Sequence, residues 1–465
     1  MIAPDKVHLL QGFLRSLPPA MAARLAKAVE VDRLSDGKAL PHDLILDGLR
    51  PVLRRAEPDR TLTPQRLFCR PFEDLLSGHP RKEKQKGVIG RDSIGAVWQW
   101  LGTSLEPEAM RKYVDGVKAS VLGFHREVAM SQAAEFWPIA SAAILTALAD
   151  AAGRKAARKA LGSDLLLADA GEMAVLLAVG PEVLEIQTLL VRPVVSLPED
   201  LLWQLREIYN RIVAKAADAG PYIAVIAMRR LERPWEALKL PLFVSRQAGD
   251  TLISSTDMGL VGEVIFAEID AHLSVIRAAR HPQFDADALA GAVAGFAELS
   301  MGIVKEVEMR RDGKWGQRLM KARAAVAETM EGFLEKAPRE ILAALPTHRT
   351  GFTGGPKAPD VGRRPDVEKR ERALNYAHLL IGCIPFAAAA SFGAALKTAN
   401  DEVTSALRAY NEDILRELRT ADGEKRDHAE SYFDLAAALT TLFLSQEEGE
   451  LLRRRGRAAL APQAA

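Results

Sequence analysis

The sequence predicts an all-α fold, an irregular helical array that ends in a C-terminal helical bundle. Apolar residues recur at spacings of three and four along nearly every long segment, which is the period of an amphipathic helix. Aromatic residues account for only 6% of the chain, and an apolar content built on Ala and Leu suits packed helices better than sandwiches or barrels. We therefore expect roughly half of the residues or more in helices and less than about a tenth in strands.

Residues 1–90 are predicted to form a region of short helices. Helical spacing covers three stretches that end before residue 57. Thr63 and Pro64 have the character of an N-cap and a first helical residue, because threonine accepts a hydrogen bond there and proline needs no N–H donor. Pro71 then interrupts the pattern, so two short turns are expected rather than one helix.

Residues 91–345 are predicted to form a central helical array. The helical block at 106–161 is expected to break near Pro138 and near Gly153, since both residue types weaken a helix interior. Residues 240–254 carry the one moderate strand signal of the chain. The pattern of this stretch fits an irregular segment or another helix equally well.

Composition shifts sharply at residues 346–366, where prolines and glycines are frequent and helical spacing disappears. These features predict a flexible connector, and a helical bundle is expected to follow over residues 367–465. Within that bundle residues 379–396 carry no charge. Their many alanines and Pro385 predict a buried helix that bends or breaks at the proline, rather than a membrane span.

The charge balance and the cysteines limit where the protein works and what it binds. The formal net charge is +1, so no global field attracts nucleic acid or an anionic membrane, and such a partner needs a local patch. Cys69 and Cys383 lie far apart and are expected to be buried small hydrophobic residues. The first ten residues are charged and are not followed by a long apolar stretch. Together these features favour a cytoplasmic protein.

No arrangement of residues in the sequence predicts catalytic residues, a metal site or a cofactor. The nine histidines are dispersed and lack the spacing of a helical metal site. His281, Asp285 and Asp287 are interpreted as the start of a helix, because aspartate is a favoured cap. Residues 351–357 superficially resemble a phosphate-binding loop, but Pro356 separates the glycines from the lysine and no strand precedes them.

Basic residues form three clusters along the chain. The first lies in a predicted exposed loop at residues 78–90 and its flank, and consists of Arg81, Lys82, Lys84, Lys86 and Arg91. The third ends the last predicted helix and consists of Arg453, Arg454, Arg455 and Arg457. Cations are favoured at a helix C-terminus by the helix dipole, so the third cluster has a structural explanation.

The second cluster is the candidate partner-binding site. It surrounds a predicted turn at residues 312–313 and consists of Arg310, Arg311, Lys314, Trp315, Arg318, Lys321 and Arg323. A large aromatic side chain among six cations can stack on a base, meet a lipid surface or anchor a protein interface. The competing interpretation, which we favour for the tryptophan itself, is that Trp315 opens the apolar stripe of its helix and packs in the core.

These observations favour a non-catalytic interaction or scaffold protein that uses basic surface patches to engage a macromolecular partner, with another protein as the first expected partner. A binding module for an anionic partner, either nucleic acid or a phospholipid surface, is the alternative. An enzyme whose site is scattered over distant helices also remains open, because a fold class does not determine function. A small-molecule substrate is not indicated by the sequence.

Overall fold

The computed structural model describes residues 4–34, 40–55, 62–122, 125–245, 257–349 and 357–460. Helices account for 78% of the structure, which confirms the all-α prediction. The chain divides into two compact units, an N-terminal unit of Met1–Val194 with Pro198–Arg230 and a C-terminal unit of Val195–Leu197 with Leu231–Ala465. The boundaries predicted near residues 90, 345 and 366 fall inside these units. The four-part division therefore stays a prediction about segments within them.

The N-terminal unit is a succession of helices joined by short connections. In chain order they are α1 (Pro4–Ser16), α2 (Pro19–Leu34), α3 (His42–Arg55), α4 (Pro64–Cys69), α5 (Arg91–Trp100), α6 (Pro107–Leu122), α7 (Arg126–Leu148), α8 (Ala151–Leu161), α9 (Asp164–Ala178), α10 (Gly180–Leu189), α11 (Glu199–Lys215) and α12 (Gly220–Met228). A 3-10 turn, Arg70–Leu75, continues α4, as the proline at 71 predicts. Strands β1 (Leu76–Ser77) and β2 (Ile89–Gly90) pair in parallel.

Polar N-caps and a glycine mark the helix ends in this unit. The Asp150 carboxylate accepts a 2.6 Å hydrogen bond from the Gly153 amide at the start of α8, and the Ser163 hydroxyl accepts one of 3.2 Å from the Leu166 amide at the start of α9. Between them α8 ends at Gly162, whose φ of 91° is left-handed and therefore suits glycine. The break predicted near Gly153 thus lies just before it, at the cap.

Helix α7 lies at the centre of the core of the N-terminal unit. It packs against α6, α8 and α9, and the Phe136 and Trp137 side chains on it are buried. The Trp137 indole N–H donates a 3.2 Å hydrogen bond to the Leu67 carbonyl. The predicted break at Pro138 is wrong, because α7 continues through this residue. Burial of Phe136, Trp137 and Ala140 compensates for the missing backbone hydrogen bond.

The C-terminal unit continues the helical pattern. Its helices are α13 (Lys239–Ser245), α14 (Leu260–Ala278), α15 (Ala286–Glu306), α16 (Lys314–Leu334), α17 (Ala337–Leu342), α18 (Val367–Cys383), α19 (Gly393–Thr420), α20 (Gly423–Phe443) and α21 (Gln446–Leu460). Strands β3 (Thr347–Arg349) and β4 (Lys357–Pro359) pair antiparallel. The segment with the strand signal is helical up to Ser245, so a helix is correct there. Residues 246–254 lie outside the described residues.

Helices α19, α20 and α21 pack on one another as the predicted C-terminal bundle. A buried hydrogen bond of 2.8 Å from the Asn411 amide to the Thr440 hydroxyl joins α19 to α20. Helix α18 also packs against α15 and α17, and α19 packs against α16 and α17. The bundle therefore shares its core with helices of the predicted central array.

The uncharged segment 379–396 is buried by its own chain on one side, while residues such as Ile384 are exposed. The Leu380 and Cys383 side chains are fully enclosed. Helix α18 ends at Cys383, just before Pro385, and α19 begins at Gly393. The predicted break at the proline is therefore confirmed, since a proline removes a helical hydrogen bond and clashes with the preceding turn.

Helix α15 is the one described helix that is long and apolar enough by itself to cross a membrane, and α7 with α8 passes the same test only as a strongly bent pair. Half of the apolar stretch of α15 is buried inside the protein. A core helix of this composition meets the same criteria, because length and hydropathy do not distinguish a buried helix from a spanning one.

The predicted connector at 346–366 is described at its two ends. Strands β3 and β4 lie there, and the Asp360 amide extends their pairing with a 2.9 Å hydrogen bond to the Pro346 carbonyl. Strand β4 contacts α19. Residues 350–356, which contain most of the stretch that resembles a phosphate loop, lie outside the described residues. The flexibility of the connector stays a prediction.

Candidate anion-binding site

One wall of a cavity in the N-terminal unit is formed by α4 and the 3-10 turn after it. The Thr63 hydroxyl caps α4 by accepting a 3.2 Å hydrogen bond from the Arg66 amide, as predicted. The Leu67 and Cys69 side chains are buried and anchor the helix. Arg66 and Arg70 are four residues apart, so this spacing brings both side chains to the same side of the wall.

A buried polar network holds this wall in place from behind. The Asp74 carboxylate, which is only 2% exposed, accepts hydrogen bonds of 2.9 and 3.0 Å from the Arg230 guanidinium. The Gln187 side-chain amide donates to Asp74 at 3.1 Å and to the Arg70 carbonyl at 2.9 Å. Such a network fixes the backbone that carries the Arg70 side chain, because movement of this backbone would break the hydrogen bond from Gln187 to the Arg70 carbonyl.

Two helix N-termini complete the cavity. Arg91 is the first residue of α5, with Ile94 one turn further, and Arg126 is the first residue of α7, with Met130 one turn further. Neither helix has a side-chain hydrogen bond at its cap residue. A helix N-terminus carries partial positive charge and unpaired N–H groups, so it favours anions and disfavours cations. Both helices also carry an acidic residue in the first turn, Asp92 or Glu127, and the Asp169 carboxylate accepts a hydrogen bond from the Gly90 amide at the start of α5.

The cavity has a volume of about 540 Å³. The lining combines cations and apolar side chains, and consists of Leu62, Gln65, Arg66, Leu67, Cys69, Arg70, Glu73, Leu76, Arg91, Ile94, Arg126 and Met130. Its one carboxylate belongs to Glu73, which accepts a 2.9 Å hydrogen bond from the Arg70 guanidinium. Four arginines against one glutamate leave a formal charge of +3 on the lining.

The other three arginines have no counter-charge in the part of the chain that the structure describes. No carboxylate there lies within ion-pair distance of the guanidinium groups of Arg66, Arg91 or Arg126. The Nε atom of Arg70 is in addition buried without a hydrogen-bond partner. Two acidic residues, Asp92 and Glu127, follow Arg91 and Arg126 in sequence but do not line the cavity.

The thiol in this cavity is not a nucleophile at neutral pH. Burial raises the pKa of Cys69 to about 12, with a smaller increase from the Glu73 charge and an opposing effect of Arg91. A thiol with this pKa is protonated under physiological conditions, and only the thiolate reacts or binds metals well. Cys69 therefore serves as part of the apolar surface, as the sequence predicts.

The loop at residues 78–90 is docked by its own cations, so the prediction of an exposed basic loop is wrong for two of them. The Arg81 guanidinium binds the Asp169 carboxylate of α9 through two hydrogen bonds of 3.0 and 2.6 Å. The Lys84 ammonium lies 2.8 Å from Asp169 and 2.8 Å from Glu172. The Arg81 and Lys84 side chains are only 11% and 21% exposed, so neither contributes to a free basic patch.

This docked loop sets the position of Arg91. The fully buried Asp169 also accepts hydrogen bonds from the Gly90 amide, at 2.9 Å, and from the Ser93 hydroxyl. Burial alone raises the pKa of Asp169, but the hydrogen bonds from its partners outweigh burial and the pKa lies below its usual value. The carboxylate is thus charged at neutral pH. It binds the Gly90 backbone before Arg91 and the Ser93 side chain after it, and so fixes the position of Arg91.

The seven predicted partner-binding residues lie at and before the start of α16, and we call them the α16 cluster. Trp315 is fully buried, which confirms core packing for its ring, and its indole N–H donates a 3.1 Å hydrogen bond to Glu263 of α14. Lys314 lies 2.9 Å from the same carboxylate. Arg318 bridges Glu263 at 2.9 Å and Asp270 at 2.6 Å. Two of the six cations of the cluster are therefore paired with carboxylates of α14.

The remaining members of the α16 cluster do not converge on a common site. Arg310 pairs with Asp312 at 2.9 Å. Arg311 and Lys321 are exposed. Arg323 is partly buried, and its Nε atom has no hydrogen-bond partner in the described structure. Whether this surface binds a partner stays a prediction.

Sequence reasoning did not single out Arg66, Arg70 and Arg126. One available signal was the spacing of four between Arg66 and Arg70 on either side of an apolar stretch. A second was the position of Arg126 at a helix start, where an acidic residue is normally favoured. The convergence of these arginines with Arg91 depends on the packing of α4, α5 and α7 and has no signature in the sequence.

Comparison of the chain with protein-family models, with curated proteins and with solved structures found no match.

Proposed function

We propose that this chain is a non-catalytic helical binding protein that holds an anionic group in the arginine-lined cavity of its N-terminal unit. The observation that carries the proposal is the convergence of Arg66, Arg91 and Arg126 on one cavity without a neutralising carboxylate in the described structure. These three residues are exposed and have no ion-pair partner among the described residues, so their mutual repulsion is screened only by solvent. A bound anion removes this repulsion and uses the fork geometry of arginine, which matches carboxylate and phosphate groups.

Binding rather than catalysis is favoured by the chemistry of the lining. The described lining contains a protonated thiol at Cys69 and a carboxylate at Glu73 that is paired with Arg70. A reaction needs a nucleophile or a general base next to the bound group. The cavity instead offers cations and apolar surface, which recognise a ligand without transforming it.

A cytoplasmic location is part of the proposal. Cys69 and Cys383 are both free and buried. Free thiols are typical of proteins that remain in a reducing compartment.

The α16 cluster supports a second candidate function, a surface for a macromolecular partner. Arg311 and Lys321 are exposed there, and Met320 between them is 56% exposed. Mixed apolar and cationic residues are common at protein interfaces. The ion pairs of Lys314 and Arg318 with α14 make this surface less basic than its sequence indicates, so we rank it below the cavity.

The proposal is tested with 8-anilinonaphthalene-1-sulfonate, a fluorescent anion with an apolar body. We expect saturable binding to the full chain that weakens strongly between about 0.1 M and about 1 M salt, because screening shortens the range of the attraction. The double variant Arg91→Gln, Arg126→Gln should lose most of this binding. The matched control is Arg111→Gln, Lys118→Gln, which removes the same charge from exposed positions of α6 that do not line the cavity. Equal binding by both variants would contradict the proposal.

A further inference from the structure

We infer that the ligand of this cavity is a phosphomonoester carried on an aliphatic body, an inference that rests on the proposed function. Four properties of the cavity lead to it: the excess of positive charge, the several directions from which the arginines approach, the composition of the apolar surface, and the volume.

The charge excess favours a group with more than one negative charge. The lining carries a formal charge of +3 when Glu73 is counted against its four arginines. A carboxylate contributes one negative charge, whereas a phosphomonoester carries about −1.5 to −2 at neutral pH. The phosphomonoester therefore compensates more of the repulsion among Arg66, Arg91 and Arg126.

The arrangement of donors favours a group with three acceptor oxygens. The arginines approach from α4, α5 and α7, and the first residues of α5 and α7, Arg91 and Arg126, line the same cavity. A terminal phosphate offers three strong acceptor oxygens, and helix N-termini are established positions for phosphate groups. The acceptor directions of a carboxylate lie near one plane, whereas the three oxygens of a terminal phosphate point in directions that share no plane.

The apolar part of the lining indicates what carries the phosphate. It is aliphatic or sulfur-containing, and consists of Leu62, Leu67, Cys69, Leu76, Ile94 and Met130. The described lining contains no aromatic ring. Proteins commonly bind nucleobases by stacking them on aromatic side chains, so a nucleotide is disfavoured. Aliphatic side chains instead match an alkyl or acyl chain.

The size of the cavity argues against inorganic phosphate as the whole ligand. Its volume of about 540 Å³ lies within the range of small-molecule sites, which span about 300–1,000 Å³. A bare phosphate ion would leave the apolar surface in contact with water. A ligand with an alkyl chain covers this surface and gains affinity from its burial.

The experiment compares three soluble probes by isothermal titration calorimetry with the full chain: hexyl phosphate, hexanoate and inorganic phosphate. We expect hexyl phosphate to bind about tenfold more tightly than inorganic phosphate, because the alkyl chain buries apolar surface. It should also bind about tenfold more tightly than hexanoate, because the second charge meets unpaired arginines. Hexanoate binding as tightly as hexyl phosphate would overturn the phosphate inference but leave the anion-binding function intact. Absence of binding by all three probes would overturn both.

Two variants test the contacts with the phosphate group and the contacts with the alkyl chain separately. Arg91→Gln with Arg126→Gln should weaken hexyl phosphate and inorganic phosphate by a similar factor, because both lose the same phosphate contacts. Ile94→Ala should weaken hexyl phosphate alone. Thermal unfolding of each variant shows whether the fold is retained, and Arg111→Gln with Lys118→Gln controls for the general loss of charge. An Ile94→Ala variant that binds hexyl phosphate like the parent would overturn the assignment of the apolar surface.

A further arm distinguishes a soluble ligand from a lipid headgroup. Vesicles of phosphatidylcholine that contain phosphatidic acid are compared with vesicles of phosphatidylcholine alone. Flotation of the chain with the first kind, lost in Arg91→Gln with Arg126→Gln, would identify the phosphomonoester as a lipid headgroup. Binding of hexyl phosphate without flotation would identify a soluble phosphorylated ligand. Flotation that the arginine variant retains would overturn a role of the cavity in lipid binding.

Discussion

The basic loop of the N-terminal unit and the α16 cluster of the C-terminal unit look alike in sequence, but they are neutralised in different ways. In the loop, Arg81 and Lys84 meet the carboxylates of α9, and the Asp169 side chain there is fully buried. In the α16 cluster, Lys314 and Arg318 meet Glu263, whose side chain is 36% exposed. Both arrangements turn a basic segment into an ion-pair network.

The difference in burial between the two networks determines what each contributes. A buried charge without its partner is strongly destabilising, whereas an exposed pair contributes little because water and salt compete with it. The loop network is therefore expected to hold the N-terminal unit together and to position Arg91. The network at α16 is expected to contribute little to the free energy of unfolding. Substitutions at this surface should therefore be tolerated.

The largest expected effect comes from removal of the buried carboxylate. Asp169→Ala should lower the free energy of unfolding by about 3–5 kcal/mol, because Arg81 and Lys84 keep their buried positions without a full counter-charge. Chemical denaturation followed by circular dichroism measures the loss. Glu412→Ala is the control, since it breaks an exposed pair with Arg455, and should change the free energy by less than about 1 kcal/mol. Similar losses in both variants would remove the distinction between the networks.

The loop network also predicts an acid-dependent loss of stability. Since the pKa of Asp169 is lower in the folded protein, its ionised form stabilises the fold at every pH above its unfolded value of about 3.9. This contribution is lost as the pH falls through the folded pKa, below about pH 4. The stability difference between the parent and Asp169→Asn should therefore be largest near neutrality and shrink in acid. A difference that stays constant down to pH values well below the folded pKa would show that the charge is not involved.

A smaller effect is expected at Gly90, where the loop meets α5. A Cβ atom added here would collide with the Arg81 guanidinium and with Asp92. Gly90→Ala should therefore displace Arg81 from Asp169 and destabilise the protein by about 1–3 kcal/mol. Gly95→Ala is the matched control on α5, because nothing lies within 4 Å of its added Cβ. That change should stabilise the helix by about 0.5–1 kcal/mol. Thermal unfolding of the two variants shows whether the Cβ atom added at Gly90 destabilises the protein.

Removal of the shared negative charge at α16 should lower the free energy of unfolding only slightly. Glu263→Gln removes the charge that Lys314 and Arg318 share but keeps an oxygen that can accept from the Trp315 indole. We expect a loss of about 1 kcal/mol or less, because the carboxylate is partly exposed. A loss as large as that of Asp169→Ala would mean that the two networks are energetically equivalent.

The smallest expected effect on stability concerns the exposed cations of the α16 cluster. Arg311→Glu and Lys321→Glu should each change the free energy of unfolding by less than about 0.5 kcal/mol. Capture of a protein partner should nevertheless fall if this surface is an interface, while binding of 8-anilinonaphthalene-1-sulfonate should be unchanged. Loss of dye binding with intact stability would place the anion site at α16 rather than in the arginine-lined cavity.

Most of the helical architecture is predictable because its signals are local. The Asp285 carboxylate caps α15 by accepting a 3.0 Å hydrogen bond from the Ala288 amide, as the sequence predicts, since capping depends on residues within one turn. The break at Pro385 follows for the same reason. Pro138 is the exception, because packing around Trp137 outweighs a local preference.

The candidate site was much less predictable than the helices. Of its four arginines only Arg91 belongs to a cluster that the sequence singles out, and it was grouped there with Arg81 and Lys84. In the structure Arg81 and Lys84 form ion pairs with Asp169, whereas Arg91 lines the cavity. Charge pairing of this kind acts between residues 85 to 88 positions apart in the chain, where helical periodicity carries no information.

The sequence by itself determined that this protein is helical, where many of its helices begin and end, and that its two cysteines are buried. Those properties follow from periodicity, caps and apolar content, which act over a few residues. Only the tertiary structure decided which cations remain unpaired. Arg81, Lys84, Lys314 and Arg318 find carboxylates on α9 and α14, whereas Arg66, Arg91 and Arg126 line a cavity whose one carboxylate in the described structure is paired with another arginine. The physical reason is that electrostatic pairing depends on distance in space and on burial, and both are set by how the helices pack.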